Sequence, residues 1–548
     1  MDEFRKQCER ELKKFTDEII LEKSKHSDLA FPCFNLAKKE KKNPLEIAQE
    51  ISKSIKLSKL IKKVEAQNGY VNFYADWNSI SKKLIGEILA KKENYGRGKK
   101  QEKIMLEYSG PNSNKPLHIG HLRNDSIGMA TSNILEFTGY KILRSNIIND
   151  RGVHICKVMY AYKKWGNHRN PIKEGIKPDH FIGDLYVLYE KNKSEESDKE
   201  VQIMLQKWEK KDKETRLLWK KINSWCITGM KQTYKKFGSK FDLWPQESQF
   251  YDKAKPIIDQ GLKKGIFFKN DRGDIAVNLE PSFPNKVVLR ADGTSIYFTN
   301  DLALTKHRFQ NYKINKMIWC VASEQNLYFQ QLFKTFELLG YKWSKNCYHL
   351  SYGIVNLPSG RMKSREGNVI DADDLIEEVT KLAKEEIRKR EEGIAEKEIE
   401  LRADSIALAA IKYYLLKVEP IKDLLFIPEK AISFEGDTGP YLQYTYARAK
   451  SILRKSGKKP KAGEVDEKNV VEKLSEFKEI IDKSSSDMKS SILANYLFDL
   501  ATAFNEFYHR EKIIGSEKEE VFLGLVEAVS VVLAIGLKLL GIKPLERM

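Results

Sequence analysis

The pattern of hydrophobic and polar positions changes character several times along the chain. Residues 1–98 begin with a charged helical stretch, MDEFRKQCERELKKF. They continue with a strand-like run, NGYVNFYA (68–75), and end in the basic, glycine-containing sequence KKENYGRGKK. This mixture predicts an N-terminal α/β domain followed by a linker.

The next region, 99–150, has a short, regular rhythm. A strand-like IMLEYS is followed by the turn GPNSNKP, by a helical stretch from His118 to Gly139, and by a second strand-like run, YKILRSNII. Strand, helix and strand in this order predict the βαβ unit of a doubly wound parallel sheet, which is a Rossmann-type fold.

Long charged helices and short β segments in 151–290 predict an insertion into this sheet. The α/β rhythm resumes in 291–375, where KMIWCVAS and CYHLSYGIV are strand-like and a helical QNLYFQQLFKTFELLG separates them. The fold class is therefore α/β, with the second half of a split sheet in 291–375.

Nearly all of 376–548 is helical in pattern, with one Lys-, Gly- and Ser-rich break at about 454–468, and this predicts a C-terminal helical bundle. The stretch 521–540 is almost wholly apolar and could be a membrane span or a buried bundle helix. Glu527 and Lys538 would be costly inside lipid, which favours the buried helix.

Composition describes a folded protein with a heavily charged surface. The chain is 41% hydrophobic and 32% charged, which excludes a disordered chain. Ninety-six Lys and Arg against 77 Asp and Glu give a net charge of +19. This excess favours a polyanionic partner such as nucleic acid, although a lysine-rich proteome would produce the same excess.

The cysteines and the N-terminus bear on compartment and metal content. The six cysteines lie far apart, without a CxxC pair or a Cys/His cluster at zinc spacing, so we expect buried thiols, a reducing compartment and no zinc. The charged N-terminus does not have the apolar stretch of a secretory signal. We therefore expect a cytoplasmic protein.

The first candidate for chemistry is His118-Ile119-Gly120-His121, between the first strand of the sheet and its helix. Ligands of open α/β sheets bind at this edge. Gly120 would let a nucleotide approach the backbone, and the helix N-terminus with two imidazoles would offer N–H donors to phosphate. Lys115 and Arg123 would add positive charge. A stray HxGH is otherwise a surface turn.

The second candidate is the glycine-flanked loop 360–368, with Arg361, Lys363 and Arg365. Its cations could be a solvated basic surface. They could also neutralise a departing pyrophosphate, since a basic loop between glycines can close over a triphosphate.

These two motifs, in this order, resemble the class I aminoacyl-tRNA synthetases. EYSGPNSNKPLHIGHLR, SREGNVIDADDLIEE, GPYLQYTYARAKSIL and the terminal PLERM are similar to the arginyl-tRNA synthetase family in particular. The resemblance implies a tRNA-binding N-terminal domain, a Rossmann catalytic domain with a connective insertion, and an α-helical anticodon-binding domain in 376–548. It departs from the class pattern at Ser364, where the usual loop has a second lysine, and Lys115 is expected to compensate.

The resemblance also implies the reaction. L-Arginine would be activated by ATP with Mg²⁺ and transferred to tRNA(Arg) by a monomeric enzyme that requires bound tRNA for activation. His118, His121 and Lys115 would stabilise the α-phosphate, and Arg361, Lys363 and Arg365 the leaving group. Gly120 would lie against the nucleotide, and the backbone of Gly353, Ile354 and Val355 would hold adenine.

For the amino acid, the resemblance implies that Asp301, Tyr297 and Glu107 bind the guanidinium, with Glu247 as a weaker addition. Asn112 and Gln325 would hold the α-amino end. Tyr297 and Asp301 are four residues apart, so a helix would place them on one face. The alternative is that Asp301 caps a helix that begins there.

For tRNA, Tyr441, Tyr444, Arg448 and Tyr508 would form an aromatic and basic face for anticodon bases, although tyrosines at this spacing are also ordinary bundle core. Asn68, Tyr70 and Asn72 would contact the tRNA elbow. One rival interpretation is another HIGH-containing enzyme, either a synthetase for glutamate, glutamine or cysteine or a small nucleotidyltransferase, which would have no large helical C-terminal domain. A second is a catalytically inactive RNA-binding relative.

Overall fold

The computed structural model describes residues 1–24, 26–166, 168–356, 358, 370–390 and 393–548. The N-terminal region holds an antiparallel sheet in the order β1-β3-β2, flanked by helices. Its elements are α1 (Asp2–Leu12), β1 (Leu29–Pro32), α2 (Phe34–Glu40), α3 (Pro44–Ser54), β2 (Ile61–Gln67), β3 (Tyr70–Ala75) and α4 (Trp77–Lys91). The strand predicted in 68–75 is thus confirmed as β3.

The stretch predicted as a linker is partly buried. Tyr95 is 1% exposed and stacks on Phe477 of the C-terminal bundle at 5.8 Å between ring centroids. The charged pattern of KKENYGRGKK concealed this contact because the partner lies almost 400 residues away in sequence. The segment therefore joins the N-terminal region to the bundle as well as to the sheet.

Four parallel strands form the central sheet in the order β10-β9-β4-β5. The first half consists of β4 (Lys103–Glu107), α5 (Ile119–Phe137) and β5 (Lys141–Ser145). The second half consists of α11 (Tyr297–Tyr312), β9 (Lys316–Ala322), α12 (Asn326–Leu338) and β10 (Cys347–Tyr352). The order of the strands reverses between β4 and β9, and in such sheets ligands bind outside the carboxyl ends at that switch point.

The predicted insertion separates the two halves. Its elements are α6 (Val153–Trp165), α7 (Pro178–Asn192), α8 (Glu195–Glu209), α9 (Lys213–Phe237), α10 (Lys255–Lys263), β6 (Phe267–Lys269), β7 (Ile275–Val277) and β8 (Lys286–Leu289). The strands form a small antiparallel sheet, β6-β7-β8, which shares a hydrophobic core with α10, α11 and α12. A second, larger core runs through the rest of the molecule.

The remainder is helical, apart from the two-residue strands β11 (Val355–Asn356) and β12 (Leu424–Leu425), which pair in parallel. The helices are α13 (Ala372–Arg390), α14 (Glu396–Leu416), α15 (Pro428–Ala431), α16 (Gly439–Ser456), α17 (Lys468–Ser486), α18 (Ser490–Arg510) and α19 (Glu519–Leu539). The predicted break at 454–468 separates α16 from α17. Helix α13 is continuous across 375/376, where we predict a domain boundary.

Helix α19 contains the apolar stretch 521–540. Among the described residues, it is the one helix long and apolar enough to cross a membrane, but two thirds of its most apolar window (67%) is buried inside the protein. It packs against α16 and α18 of the bundle, and also against α4 and α5. The prediction of a buried bundle helix is confirmed.

Candidate active site

A cavity of about 1230 Å³ opens at the switch point of the central sheet. It is lined by the end of β4, the start of α5, the end of β9 and the first turns of α11. The cavity brings together residues that lie as far apart in sequence as Glu107 and Ile370. Its lining includes most of the predicted site residues: Glu107, Asn112, His118, Gly120, His121, Glu247, Tyr297, Asp301, Gln325, Ile354 and Val355.

The HIGH turn, His118-Ile119-Gly120-His121, caps the N-terminus of α5 with its two histidine side chains. His118 is the N-cap residue, and its Nδ1 accepts a hydrogen bond from the backbone N–H of Gly120 at 3.1 Å. In return, the backbone N–H of His118 donates to Nδ1 of His121 at 3.1 Å. A Cβ at Gly120 would lie 2.9 Å from the ring of His118, so a larger residue would displace that ring. Glycine is therefore needed here for the histidine geometry.

These contacts decide the chemical state of both histidines. Burial and the nearby positive charge of Lys115 lower the pKa of His118 to about 4, and burial lowers the pKa of His121 well below its usual value. Both rings are thus neutral at pH 7. Because Nδ1 accepts in each ring, the ring proton is on Nε2 and each histidine can donate one hydrogen bond from that atom.

Arg123 does not add charge to the cavity, contrary to the sequence-based expectation. Its side chain is fully buried and donates to the backbone oxygens of Ile354 at 2.9 Å, Pro420 at 3.1 Å and Lys422 at 2.6 Å. Arg123 therefore joins α5 to the segment before β12. Lys115 is half-buried and lies close enough to His118 and His121 to depress the pKa of both.

Residues 359–369, which include Arg361, Lys363, Ser364 and Arg365, lie outside the described residues. The chain on both sides of them lines the cavity, at Pro358 and Ile370. Before them, β11 pairs with β12. After them, the backbone N–H of Ile119 donates to the oxygen of Ile370 at 3.0 Å, and the N–H of Ala372 donates to the oxygen of Leu117 at 2.9 Å.

The predicted adenine site reaches the cavity in part. Ile354 and Val355 line it, whereas the backbone N–H of Gly353 donates to the oxygen of Pro420 at 2.9 Å. A Cβ at Gly353 would lie 2.5 Å from Asp423 Oδ1. Gly353 therefore serves the close packing of this turn against 422–423.

Three carboxylates lie at the other end of the cavity. Glu107 ends β4 and is bound by both terminal nitrogens of Arg308, with Nη1 at 3.3 Å from Oε1 and Nη2 against Oε2. Both side chains are buried. No sequence motif points to Arg308, although its position seven residues after Asp301 places the two on similar faces of one helix.

Asp301 lies in the second turn of α11, so the interpretation of Asp301 as the helix cap is wrong. The helix begins at Tyr297, after Ile296. Tyr297 and Asp301 both face the cavity, as their spacing predicts. The Tyr328 hydroxyl donates to Asp301 Oδ2, and burial raises the pKa of Asp301 to about 6.

Glu247 is also buried, and its Oε1 accepts from Asn300 Nδ2 at 2.8 Å and lies 4.0 Å from Arg151 Nη1. Burial raises the pKa of Glu247 to about 7, with Asp150 and Asp301 adding to the shift. Two carboxyl groups with raised pKa values, the buried Glu247 and the half-buried Asp301, face one cavity. Such a site has less positive charge than its carboxylates require, and a cationic ligand would supply it.

Family models match three consecutive parts of the chain. Residues 2–75 match the arginyl tRNA synthetase N-terminal domain, 84–427 the catalytic domain of class I (R) tRNA synthetases, and 442–548 the DALR anticodon binding domain. The chain belongs to the arginyl-tRNA synthetase family. The HIGH turn and the three carboxylates thus lie within the region that matches the family's catalytic domain.

Individual relatives agree. The chain is 42% identical to the arginine–tRNA ligase of Treponema denticola, over 95% of this chain and 93% of the relative, and 39% identical to that of Bacteroides thetaiotaomicron, over 97% and 96%. The solved arginyl-tRNA synthetase of Thermus thermophilus is 26% identical, covers 100% of both chains and superposes with a TM-score of 0.81. The similarity therefore extends over all parts of the chain.

The family's anticodon-binding region contains a second cavity, of about 710 Å³. Tyr444, Arg448 and Tyr508 meet there, and the Arg448 guanidinium lies 4.8 Å from each tyrosine ring centroid. The other charged residues that line it are Arg402, Arg454, Lys455, Lys512 and Arg547, against Glu511 and Glu546. Tyr441 does not line this cavity: it packs on Phe498, and its hydroxyl accepts from Asn505 at 2.9 Å.

The three residues predicted at the N-terminal surface differ in exposure. Asn68 is exposed in the β2–β3 turn, and Tyr70 is half-buried against Phe34. Asn72 is 5% exposed, and its Oδ1 accepts from the Ser27 hydroxyl at 3.0 Å. The structure therefore leaves Asn68 and Tyr70 at the surface and places Asn72 in the interior of the sheet.

Proposed function

We propose that this chain is an arginine–tRNA ligase: it activates L-arginine with ATP and transfers the arginyl group to the terminal adenosine of tRNA(Arg). The observation that carries this proposal is the cavity itself, which has histidine N–H donors suited to phosphate at one end and three carboxylates at the other. Glu107 and Glu247 are buried, and Asp301 is half-buried. Arginine side chains of the protein itself already lie beside two of these carboxylates. Arg308 pairs with Glu107, and Arg151 lies near Glu247. Asp301 is left for the guanidinium of the substrate, with Tyr297 beside it.

In the first step, a carboxylate oxygen of arginine attacks the α-phosphorus of ATP, and the bond to pyrophosphate breaks. Negative charge increases on the phosphate oxygens as this happens. The neutral Nε2–H groups of His118 and His121 and the ammonium group of Lys115 would stabilise that charge. Arg361, Lys363 and Arg365 would act on the leaving pyrophosphate, and Asn112 and Gln325 would hold the α-amino end.

Mg²⁺ would enter with ATP, held by triphosphate oxygens and water, because it prefers oxygen ligands. The described side chains of the HIGH turn offer nitrogen donors, which suit phosphate rather than the metal. Mg²⁺ neutralises phosphate charge when it is bound. The carboxylates Glu107, Glu247 and Asp301 would lie at the arginine side chain and would not hold Mg²⁺.

In the second step, the 2′-hydroxyl of the terminal adenosine attacks the arginyl carbonyl carbon, and AMP leaves. The basic cavity around Tyr444, Arg448 and Tyr508 supports binding of the anticodon, because aromatic rings and guanidinium groups stack on unpaired bases. Asn68 and Tyr70 would contact the tRNA elsewhere. We propose that the enzyme acts as a monomer in the cytoplasm.

The pocket chemistry disfavours the rival interpretations. A glutamate or glutamine enzyme needs cations or neutral donors around the side chain of the amino acid, whereas this cavity presents carboxylates. An inactive relative would have no use for two histidines held as neutral donors. Both rivals differ from the proposal in what they would charge.

Charging of total tRNA with each of the twenty amino acids tests the function. We expect arginine alone to be attached, with release of AMP and pyrophosphate. Attachment of a different amino acid would identify another synthetase. RNA binding without attachment of any amino acid would identify an inactive relative.

A further inference from the structure

The hydrogen bond between Tyr328 and Asp301 has no place in the two steps above. Tyr328 lies in the first turn of α12, and its ring packs edge-on against Phe298 at 5.6 Å between centroids. Its hydroxyl donates to Asp301 Oδ2. Tyr328 lines the same end of the cavity as Glu107, Glu247 and Asp301.

The partners of the three carboxylates differ. Both oxygens of Glu107 are bound by Arg308, so the charge of Glu107 is already paired within the protein. Glu247 is accompanied by Asn300 and, more distantly, by Arg151. Among the described residues, no cation lies within ion-pair distance of Asp301. Asp301 is thus the carboxylate whose charge a substrate guanidinium would neutralise.

We propose that Tyr328 is a specificity-determining residue, which holds Asp301 as an oriented anion so that the cavity accepts a guanidinium and rejects its neutral ureido analogue, citrulline. The inference rests on the proposed function, because it assumes that Asp301 meets the side chain of the substrate. It adds a residue that the family motifs do not indicate.

The chemical reason lies in what each form of Asp301 can do. An ionised carboxylate only accepts hydrogen bonds. This suits a guanidinium, which has N–H donors and no acceptor. A protonated carboxyl also donates, which suits the ureido oxygen of citrulline. Discrimination between the two ligands therefore depends on keeping Asp301 ionised.

Several groups around Asp301 act on its ionisation. Burial raises its pKa to about 6, and the charge of Glu107 adds to that shift, while the Tyr328 hydrogen bond and the charge of Arg308 oppose it. Glu247 and Tyr297 face the same end of the cavity. The ammonium group of Lys286 lies over the Tyr328 ring, 5.8 Å from its centroid. Without the tyrosine hydroxyl, protonation of Asp301 would extend to higher pH.

Tyr328→Phe tests the proposal because it removes the hydroxyl and keeps the ring. We expect the KM for arginine to rise about two- to tenfold, the range for loss of one hydrogen bond, with the KM for ATP and kcat nearly unchanged. Inhibition by citrulline should strengthen relative to arginine binding. In pH profiles of kcat/KM for arginine, the acid limb should move to higher pH.

Tyr341→Phe is the matched control. The hydroxyl of Tyr341 is buried without a described partner, and its ring packs at the margin of the same small core. This variant should keep the arginine KM, the citrulline inhibition and the pH profile of the parent enzyme. If it changed them as Tyr328→Phe does, the effect would come from the core and the proposal would be overturned.

Asp301→Asn separates this inference from the proposed function. Normal arginine kinetics in Asp301→Asn would contradict the pocket assignment itself. A large effect there, with Tyr328→Phe identical to the parent, would overturn the role of Tyr328 alone. In the Asp301→Asn background, Tyr328→Phe should have no further effect on discrimination. If Tyr328→Phe does not fold, Tyr328→Gln, which keeps a donor, should retain discrimination, and its loss would contradict the proposal.

Discussion

The carboxylates in the proposed amino-acid pocket differ in whether a cation of the protein already pairs with them. Asp301 has a tyrosine hydroxyl and no described cation, whereas Glu107 has Arg308. A substrate guanidinium therefore gains most at Asp301. Asp301→Asn should raise the KM for arginine at least about tenfold, since a charge-assisted contact contributes on the order of 1.5–3 kcal/mol, while the KM for ATP should stay the same. Steady-state kinetics would show this, and an unchanged arginine KM would exclude the assignment.

At the histidine end of the cavity, the positive charge of Lys115 contributes to lowering the pKa of both His118 and His121, so Lys115 lies close to both rings. Lys115→Ala should slow adenylate formation on the order of 100-fold, as loss of a transition-state donor does, with arginine binding retained. Single-turnover activation measures this directly. The exposed Lys141 gives a control substitution. Near-normal activation in Lys115→Ala would assign the charge to Lys363 or Arg365.

At the scale of elements, the start of α13 is tied to the insertion. Lys177 Nζ lies 2.6 Å from Asp373 Oδ2 and 2.9 Å from Asp179 Oδ2, and His180 Nε2 lies 3.1 Å from the same Asp373 oxygen and 3.4 Å from Asp371. Asp179, His180 and Asp373 are near enough to one another to share a metal ion, but the ammonium group of Lys177 already pairs with both carboxylates. This cluster fixes residues 370–372, which bond to the backbone on both sides of His118.

Lys177→Met should consequently affect both stability and chemistry. It leaves Asp179 and Asp373 without their cation, and we expect the free energy of unfolding to fall on the order of 2 kcal/mol. Because residues 370–372 support the HIGH turn, kcat for adenylate formation should fall while the KM for arginine holds. Lys177→Arg should restore both. A loss of stability with unchanged kcat would show that the cluster does not position His118.

The elements were predictable from local pattern, but many of their partners were not. The period of apolar residues and the HIGH turn place α5 and its neighbouring strands correctly, because helix start signals and strand patterns are local. Several contacts join residues that no local sequence pattern connects. They are those of Arg308 with Glu107, of Tyr328 with Asp301 and of Arg123 with Ile354. Asn72 is a further example. The sequence predicts the strand β3, but which face of that strand Ser27 covers depends on the fold.

At the scale of the molecule, a series of interactions joins the basic cavity around Tyr444, Arg448 and Tyr508 to α5. Residues 546–548 line that cavity, and the nearby backbone oxygens of Lys543 and Gly541 accept from Gln443 Nε2 and Lys412 Nζ, each at 2.7 Å. Lys412 is buried, and burial lowers its pKa to about 8, while the charge of Asp125 on α5 opposes that shift. If tRNA binds at this cavity, as we propose, we expect its binding to affect α5.

The resemblance to the arginyl-tRNA synthetases implies that activation requires bound tRNA, and these interactions offer a route for the coupling. We therefore expect ATP–pyrophosphate exchange to be negligible without tRNA and to appear when cognate tRNA is added. Binding energy would then be used to assemble the catalytic site. Truncation after Arg402 should abolish exchange, although every HIGH residue remains. Robust exchange by the protein alone would contradict the coupling.

The proposed binding of anticodon bases at the cavity around Tyr444 can be tested on its own. Tyr444→Ala should weaken tRNA binding by roughly 1–3 kcal/mol, the contribution of one stacked base, and Tyr444→Phe should retain most of the affinity because it keeps the ring. Filter-binding or fluorescence titration at a fixed salt concentration would measure both. Equal losses in the two variants would indicate a role for the hydroxyl instead of stacking.

Helix α19 also matters for how the protein is made. It is the last of the described elements in chain order, yet it packs on α4 and α5 as well as on α16 and α18, so every surface that it covers is synthesised before it. Until α19 arrives, a nascent chain exposes apolar surface on three regions at once. A premature stop codon or frameshift before residue 519 would thus yield a product prone to aggregation and degradation rather than a weakened enzyme.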